Sequence, residues 1–245
     1  MGKGKILEIQ NLTVQYKTDT KLVTALYDLS IDVHEGDRFV IVGPSGCGKS
    51  SLLKTIGGNI RPTNGSVKLD GNEIREPSLD VMNVFQGFDQ LFPWKTVVEN
   101  VMVPLVDGLH MDKKEARQIA LHFIDKVKLS KSASQYPHEL SGGMYTRVAI
   151  ARGLAVKAKV LLMDEPFAPL DALTRSHLQD ELRGLLDDTG TTLLFITHDI
   201  PEAVKLGTRI AVLSANPGQL VEEIQGVESG ESKELVARIA NLIQH

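Results

Sequence analysis

The residues with the clearest chemical potential form a glycine-rich run that follows an apolar stretch, Phe39 to Val42. The run is Gly43-Pro44-Ser45-Gly46-Cys47-Gly48-Lys49-Ser50, and a helical pattern begins after it at Ser51. Glycines let backbone N–H groups close around phosphate oxygens, and the positive end of the following helix would face the same anion. The lysine adds a full charge, and the last serine offers a hydroxyl to Mg²⁺. The spacing matches the phosphate-binding loop G-x-x-x-x-G-K-[ST], so it predicts nucleotide binding through these residues and Ser51.

Cys47 is the only cysteine of the chain and lies inside this loop. It either fills space as a small residue or acts as a regulatory thiol, and both interpretations stay open. With one cysteine, the chain cannot form an intrachain disulfide, which is typical of a reducing compartment.

Two further apolar runs end in polar residues that could take part in catalysis. Val160 to Met163 is followed by Asp164-Glu165, and Leu193 to Ile196 by Thr197-His198. Ligands of α/β proteins bind at the carboxyl ends of parallel strands. There Asp164 would hold Mg²⁺, while Glu165 would orient and deprotonate an attacking water. The alternatives are a solvated acidic turn and, for His198, a cap or a packed side chain.

The elements that must position these residues can be read from the apolar periodicity. Leu12, Val14 and Tyr16 share one face of a strand, and alternation continues from Ala25 to Val33 before a turn at residues 35–37, which favours antiparallel pairing. The continuous runs at residues 39–42, 160–163, 193–196 and 210–213 are typical of strands covered on both faces in a parallel sheet.

Helical periodicity dominates residues 93–155, where Asp112 and Glu115 have the spacing of a capping box, and it returns at the C-terminus. The predicted fold class is α/β: a P-loop (RecA-like) core with an antiparallel β subdomain and an inserted α-helical subdomain. We expect residues 1–92 and 156–228 to form the β subdomain and core, 93–155 the helical subdomain, and 229–245 a C-terminal helix.

Composition narrows the function classes. The 245 residues include 27 Lys plus Arg and 31 Asp plus Glu, a net charge of −4, without the basic blocks that indicate nucleic-acid binding. No run approaches the roughly 20 apolar residues of a membrane span, and the start lacks a secretory apolar region. We therefore expect a protein that stays in the cytoplasm and binds no nucleic acid.

One more phrase separates this chain from other phosphate-loop proteins. Leu140-Ser141-Gly142-Gly143-Met144 stands between the loop and Asp164, and with it the sequence resembles the nucleotide-binding subunits of ABC transporters over roughly residues 6–224. The wording FQGFDQLFPWKTVVENV, YPHELSGGM, PLDALTR and FITHDIPEAV is similar to the importer branch that serves nitrate, sulfonate, taurine and other small oxyanions.

The resemblance implies a role for four residues outside the loop. Tyr16 would be the aromatic on which adenine stacks, the alternative being a core-facing strand residue. Gln86, at the end of a strand from Asn83 to Phe85, would contact Mg²⁺ beside the docking surface of the membrane subunit, the alternative being an edge polar residue. His198 would reach toward the γ-phosphate, and Asp171 would communicate across a dimer.

Ser141 has a physical logic of its own. It precedes an apolar helical pattern as an N-cap, so its hydroxyl and the amides of Gly142 and Gly143 form an anion site at a positive helix end. The resemblance implies that Ser141 and Gly143 of one copy close on the γ-phosphate held by the other, giving an ATP-dependent homodimer. It also implies transmembrane permease subunits as partners, a solute-binding protein reached indirectly, and a peripheral location on the cytoplasmic face of the bacterial plasma membrane.

The chain departs from the family pattern at three places. Met144 replaces a usual glutamine. Tyr145-Thr146 stands where Arg-Gln is more common, which removes a charge from the first turns of that helix. Ala168-Pro169 puts a proline into a loop that must move. A P-loop kinase would not need residues 140–143. A non-transport ABC ATPase and a non-hydrolysing, ATP-gated adaptor remain the alternatives to an import ATPase.

Overall fold

The computed structural model describes residues 4–18, 21–85, 87, 90–225 and 232–244. Within them the strands are β1 (Lys5–Lys17), β2 (Leu22–His34), β3 (Arg38–Val42), β4 (Asn64–Leu69), β5 (Asn72–Glu73), β6 (Val81–Val84), β7 (Val160–Asp164), β8 (Thr192–Thr197), β9 (Arg209–Leu213) and β10 (Leu220–Gln225). The α-helices are α1 (Lys49–Ile56), α2 (Val97–Val103), α3 (Lys113–Lys126), α4 (Gly142–Ala155), α5 (Ala172–Thr189), α6 (Ile200–Leu206) and α7 (Ser232–Gln244). The chain divides into two compact units, the first of Met1–Ser78 and Thr192–His245, the second of Leu79–Thr191.

The first unit contains an antiparallel sheet in the order β2-β1-β4-β5, which confirms the predicted antiparallel pairing. Strand β1 changes its buried face along its length: Leu7 and Ile9 are buried, and then Leu12 and Val14 are. The switch from odd to even positions occurs at Asn11, where φ is 47° and the register with β2 shifts. A β-bulge at Asn11 adds one residue to the strand, so the residues before it and the residues after it bury opposite faces of β1.

The first unit also contains the strands β10-β9-β3-β8. Strand β3 runs parallel to both β8 and β9, and β10 is antiparallel to β9. All residues of β8 and β9 are buried, as the continuous apolar runs predicted. Helix α6 packs on β3, and the C-terminal helix α7 packs on α6 and β9, burying Ile239.

In the second unit, β6 and β7 pair in parallel. The sequence placed the strand before Gln86 at residues 83–85, but it spans Val81–Val84, and Gln86 itself lies outside the described residues. Helix α4 approaches β7 closely, because a Cβ on Gly153 would lie 2.6 Å from a methyl carbon of Leu161. This close approach explains the glycine in the middle of a helix.

Helices α2, α3 and α4 pack on one another, as the helical periodicity of residues 93–155 predicted. Asp112 caps α3, accepting from the N–H of Lys114 at 2.8 Å. The reciprocal box lies at α2, where the Thr96 amide donates to the Glu99 carboxylate and the Glu99 amide donates to the Thr96 hydroxyl. The Thr96 N–H holds the pKa of Glu99 below its ordinary value. None of the helices in the described residues is long and apolar enough to cross a membrane.

Candidate functional site

The glycine-rich run forms a tight loop between β3 and α1, in the order strand, loop and helix that the sequence predicted. Gly46 and Gly48 have φ of 81° and 99°, in the left-handed region that favours glycine. A Cβ on Gly48 would lie 2.5 Å from the carbonyl oxygen of Ala25, and one on Gly43 would lie 2.9 Å from that of Leu213. Backbone conformation and close backbone approach therefore both require glycine in this loop.

Lys49 and the N-terminus of α1 place positive charge on the inside of the loop. The ammonium group is buried, with 7% of the residue exposed, and it donates to the carbonyl oxygens of Gly43 and Pro44, each at 2.8 Å. Helix α1 has no side-chain cap from the described residues and no acidic residue in its first turn. Its first N–H groups and the adjacent exposed Ser50 are therefore available to an anion. A polyphosphate fits this cradle.

Cys47 is buried in the loop at 1% exposure. Its sulfur lies 3.8 Å from the Lys49 nitrogen. Burial supports the space-filling interpretation of this residue over a reactive thiol.

Tyr16 lies near the end of β1, beside helix α1, which follows the glycine-rich loop. It is 37% exposed, although Val14 on the same strand is buried. The Tyr16 hydroxyl and the Ser51 hydroxyl of α1 form a hydrogen bond of 2.9 Å. The core-facing alternative for Tyr16 is therefore wrong: its ring is exposed and one edge is fixed to α1.

His198 follows β8 in the same unit, and its side chain is exposed. The cap of α6 is its neighbour Asp199, which accepts from the N–H of Glu202 at 3.0 Å. Glu202 in turn hydrogen-bonds the buried Thr197 hydroxyl. Asp199 and not His198 is therefore the N-cap of α6, and His198 is not buried in the core.

The acidic pair lies at the end of β7 in the second unit, as predicted. Asp164 and Glu165 are half-buried, and Glu165 has φ of 43°. A non-glycine residue in this region costs about 1–3 kcal/mol, and such strain concentrates at functional sites. The Glu165 carbonyl accepts from the N–H of Ala168 at 3.1 Å, closing a turn that leads to Leu170.

Ser141 is the N-cap of α4, as the sequence predicted. Its hydroxyl accepts from the N–H of Met144 at 3.4 Å, and the residue is exposed. Gly143 is buried, because a Cβ there would lie 3.2 Å from a methyl carbon of Thr174 on α5. The helix end thus combines a solvent-facing hydroxyl with a backbone packed closely on its neighbour.

Asp171 has a capping role that the sequence analysis missed. Its carboxylate accepts from the N–H groups of Thr174 and Leu173 at the start of α5, at 3.0 and 3.1 Å. The hydrogen bond from Thr174 is the main reason that the pKa of Asp171 lies below its ordinary value. An aspartate directly before the helical run Ala172-Leu173 is the signal that could have revealed the cap.

The pair Tyr145-Thr146 was interpreted only as a lost charge, but both residues are buried and hydrogen-bonded. The Tyr145 hydroxyl accepts from the N–H of Leu91 at 2.8 Å. The Thr146 hydroxyl lies 3.2 Å from the Gly142 carbonyl and 3.4 Å from that of Pro166, the residue after Glu165. Within the second unit, the Thr146 hydroxyl therefore links α4 to the turn that follows Asp164 and Glu165.

A glycine loop with a buried lysine between a parallel strand and a helix defines a P-loop nucleotide-binding protein. Within that class, a protein-family model described as ABC transporter matches residues 26–168, more than half of the chain. The chain belongs to the ABC transporter family.

Several named proteins are similar to it. The nitrate import ATP-binding protein NrtC of Synechococcus elongatus is 43% identical over 205 residues, covering 83% of this chain, which spans only 31% of that protein's length. The aliphatic sulfonates import ATP-binding protein SsuB of Bacillus cereus is 40% identical over 219 residues, covering 89% of this chain and 85% of SsuB. The dimeric ATP-binding cassette MJ0796, solved in a post-hydrolysis state with ADP and Pi, superposes with a TM-score of 0.79 at 33% identity, covering 91% of this chain and all of MJ0796. These likenesses confirm the predicted family and fold class.

Proposed function

We propose that the chain is the ATP-binding and ATP-hydrolysing subunit of an import system for a small oxyanion. The observation that carries the proposal is the phosphate loop: glycines that a Cβ would distort, a buried Lys49 amine, and a helix start that receives no side-chain cap from the described residues. Among the similar proteins, NrtC imports nitrate and SsuB aliphatic sulfonates by name. Both solutes are oxyanions, which supports that substrate class.

The loop residues 43–51 hold the triphosphate, with Lys49 placing its charge against the β- and γ-phosphates. Tyr16 supplies the exposed face on which adenine stacks. Mg²⁺ prefers oxygen ligands, and the hydroxyl of Ser50 and the carboxylate of Asp164 are donors of that kind, with Gln86 as a further ligand. When bound, Mg²⁺ neutralises charge on the phosphates.

Glu165 acts as the general base that orients and deprotonates the attacking water, and His198 holds the same water and the γ-phosphate. The left-handed conformation of Glu165 supports this role, because strain of this type is retained where a side chain must point in one direction. His198 is exposed directly after β8, which supports a role toward a bound ligand.

Two copies close on the nucleotides in this proposal. Ser141 is exposed at the positive end of α4, with the amides of Gly142 and Gly143 beside it, and these groups bind the γ-phosphate held by the other copy. Asp171 lies at the copy-to-copy contact. The solved dimers of the MJ0796 cassette support a two-fold pair.

The pair drives permease subunits between inward-open and outward-open states, and the solute-binding protein interacts with the permease only. Residues 93–155 serve as the helical subdomain that carries Ser141, and Gln86 lies at the permease contact. The chain then works as a peripheral protein on the cytoplasmic face of the plasma membrane.

Glu165→Gln tests the mechanism directly. It should keep ATP affinity, lower hydrolysis by about 10²–10⁴, and accumulate as a dimer with ATP, because binding survives while the base is lost. Glu115→Gln, an exposed glutamate in α3, is the matched control and should behave as wild type. Phosphate release and gel filtration with and without ATP give the readout.

A normal hydrolysis rate in Glu165→Gln would remove that residue from the base role. A wild-type chain that hydrolyses ATP at full rate while strictly monomeric would refute the shared site. An ATP-binding wild type that never hydrolyses would favour the ATP-gated adaptor. Purification of the bound permease and tests of its binding protein with nitrate, bicarbonate and sulfonates would identify the solute.

A further inference from the structure

One face of α4 is bonded to a segment far away in sequence. Tyr145 and Arg152 are seven residues apart, two helical turns, so they share a face. Tyr145 is 3% exposed, and its hydroxyl accepts from the buried N–H of Leu91 at 2.8 Å. Arg152 donates to the carbonyl of Gln90 at 2.6 Å. The helix therefore holds two consecutive residues of this segment.

Gln90 carries the connection one step further. Its side-chain oxygen accepts from the N–H of Phe85 at 3.0 Å, and its side-chain nitrogen donates to the Phe85 carbonyl at 2.9 Å. Phe85 is the residue before Gln86 in the chain. The N–H and the carbonyl of Phe85 are thus both hydrogen-bonded to the Gln90 side chain. The backbone carbonyl of Gln90 is in turn hydrogen-bonded to Arg152 of α4.

An arginine is energetically unfavourable at position 152. Burial lowers its pKa, and its Nε is buried without a hydrogen-bond partner in the described part of the chain. Burying a charge with incomplete pairing opposes folding, so the stability of the fold does not by itself favour an arginine there. The arrangement is therefore better explained by what the bond to Gln90 does than by stability.

We propose that Tyr145 and Arg152 are positioning residues that lock α4 to Gln90 and Leu91. The amide of Tyr145 donates to the carbonyl of Ser141 at 2.9 Å, so Tyr145 lies one turn from the helix start. A displacement of Ser141 on nucleotide contact passes through that turn to Leu91 and, by way of Gln90, to Phe85. The inference rests on the proposed function, since it assigns Ser141 to the nucleotide and Gln86 to the permease contact.

Hydrogen exchange with mass spectrometry tests the lock in the full chain. In the Glu165→Gln background, Mg-ATP should slow amide exchange both at residues 142–146 and at residues 90–92. Tyr145→Phe keeps the ring and removes the hydroxyl, so the Leu91 amide should exchange about five- to a hundredfold faster. ATP should then still protect residues 142–146 but no longer residues 90–92.

Tyr136→Phe, an exposed tyrosine of the same unit, is the matched control and should keep both protections. Arg152→Met removes the second bond and should uncouple the same two segments, which keeps the test decisive if Tyr145→Phe folds poorly. ATP-dependent protection of residues 90–92 that persists in both variants overturns the lock. Loss of this protection in Tyr136→Phe to the same extent as in Tyr145→Phe also overturns the lock. A Glu165→Gln chain that binds no ATP overturns the proposed function, and this inference with it.

Discussion

Two glycines of the phosphate loop allow conformational strain and steric clash to be separated. Gly46 and Gly48 both have positive φ, so an alanine at either position pays the left-handed penalty of about 1–2 kcal/mol. At Gly46 an added Cβ meets no atom of the described part of the chain within 4 Å. At Gly48 it would lie 2.5 Å from the Ala25 carbonyl oxygen and 2.8 Å from a methyl carbon of Leu26. Overpacking of this kind adds about 1–3 kcal/mol.

Gly46→Ala should therefore destabilise the chain by about 1–2 kcal/mol and Gly48→Ala by about 2–5 kcal/mol, the sum of both terms. For a chain of this size each kcal/mol lowers the melting temperature by about 2–4 °C. Because Ala25 belongs to a paired strand, the loop must yield, and Gly48→Ala should also weaken ATP binding by about tenfold or more, equivalent to about 1.4 kcal/mol.

Melting curves without nucleotide and binding of a fluorescent ATP analogue measure the two effects. Equal destabilisation by the two alanines would refute the clash argument, because it would leave φ as the only cost. A Gly48→Ala chain with wild-type ATP affinity would show that β2 moves and the loop does not.

Two predictions concern contacts elsewhere in the first unit. Tyr16→Phe, which loses only the bond to Ser51, should weaken ATP binding by about two- to tenfold, and Tyr16→Ala by a further factor worth about 1–3 kcal/mol in titrations; equal effects of the two would exclude stacking. Arg209, 9% exposed, donates to the buried Asp37 carboxylate at 2.7 Å, so Arg209→Met should lower the free energy of unfolding in urea by about 3–5 kcal/mol, because it removes the guanidinium that pairs with that carboxylate. Arg75→Met removes an exposed ion pair and should change the free energy of unfolding little. Equal loss of stability in Arg75→Met and Arg209→Met would contradict the argument from burial.

The parts of the fold that the sequence predicted well depend on local pattern. Continuous apolar runs identified β3, β7, β8 and β9 because both faces of those strands are buried. The phosphate loop was predicted with its strand and helix because glycine, lysine and serine have fixed spacing there. The cap of α4 followed from a serine before a helical run.

Other features depend on contacts between distant residues, which a local pattern does not contain. Tyr145 read as a missing charge, and its hydrogen bond to Leu91 joins positions 54 apart. The bulge at Asn11 was missed because it shows in the pairing with β2, where the register shifts, and a single strand's sequence does not contain that pairing. The role of Asp171 as a cap was hidden by its expected role at a dimer contact, although the two are compatible.

The bonds of Lys49 determine how the loop receives a ligand. Its ammonium group spans the turn by reaching two carbonyl oxygens of the same loop, so the turn keeps its shape through contacts within the chain itself. In the proposed function, an arriving triphosphate would exchange the carbonyl partners of Lys49 for phosphate oxygens and would not have to fold the backbone around itself. Preorganisation of this kind removes an ordering cost from the association step, leaving more of the contact energy to retain the nucleotide once it has entered.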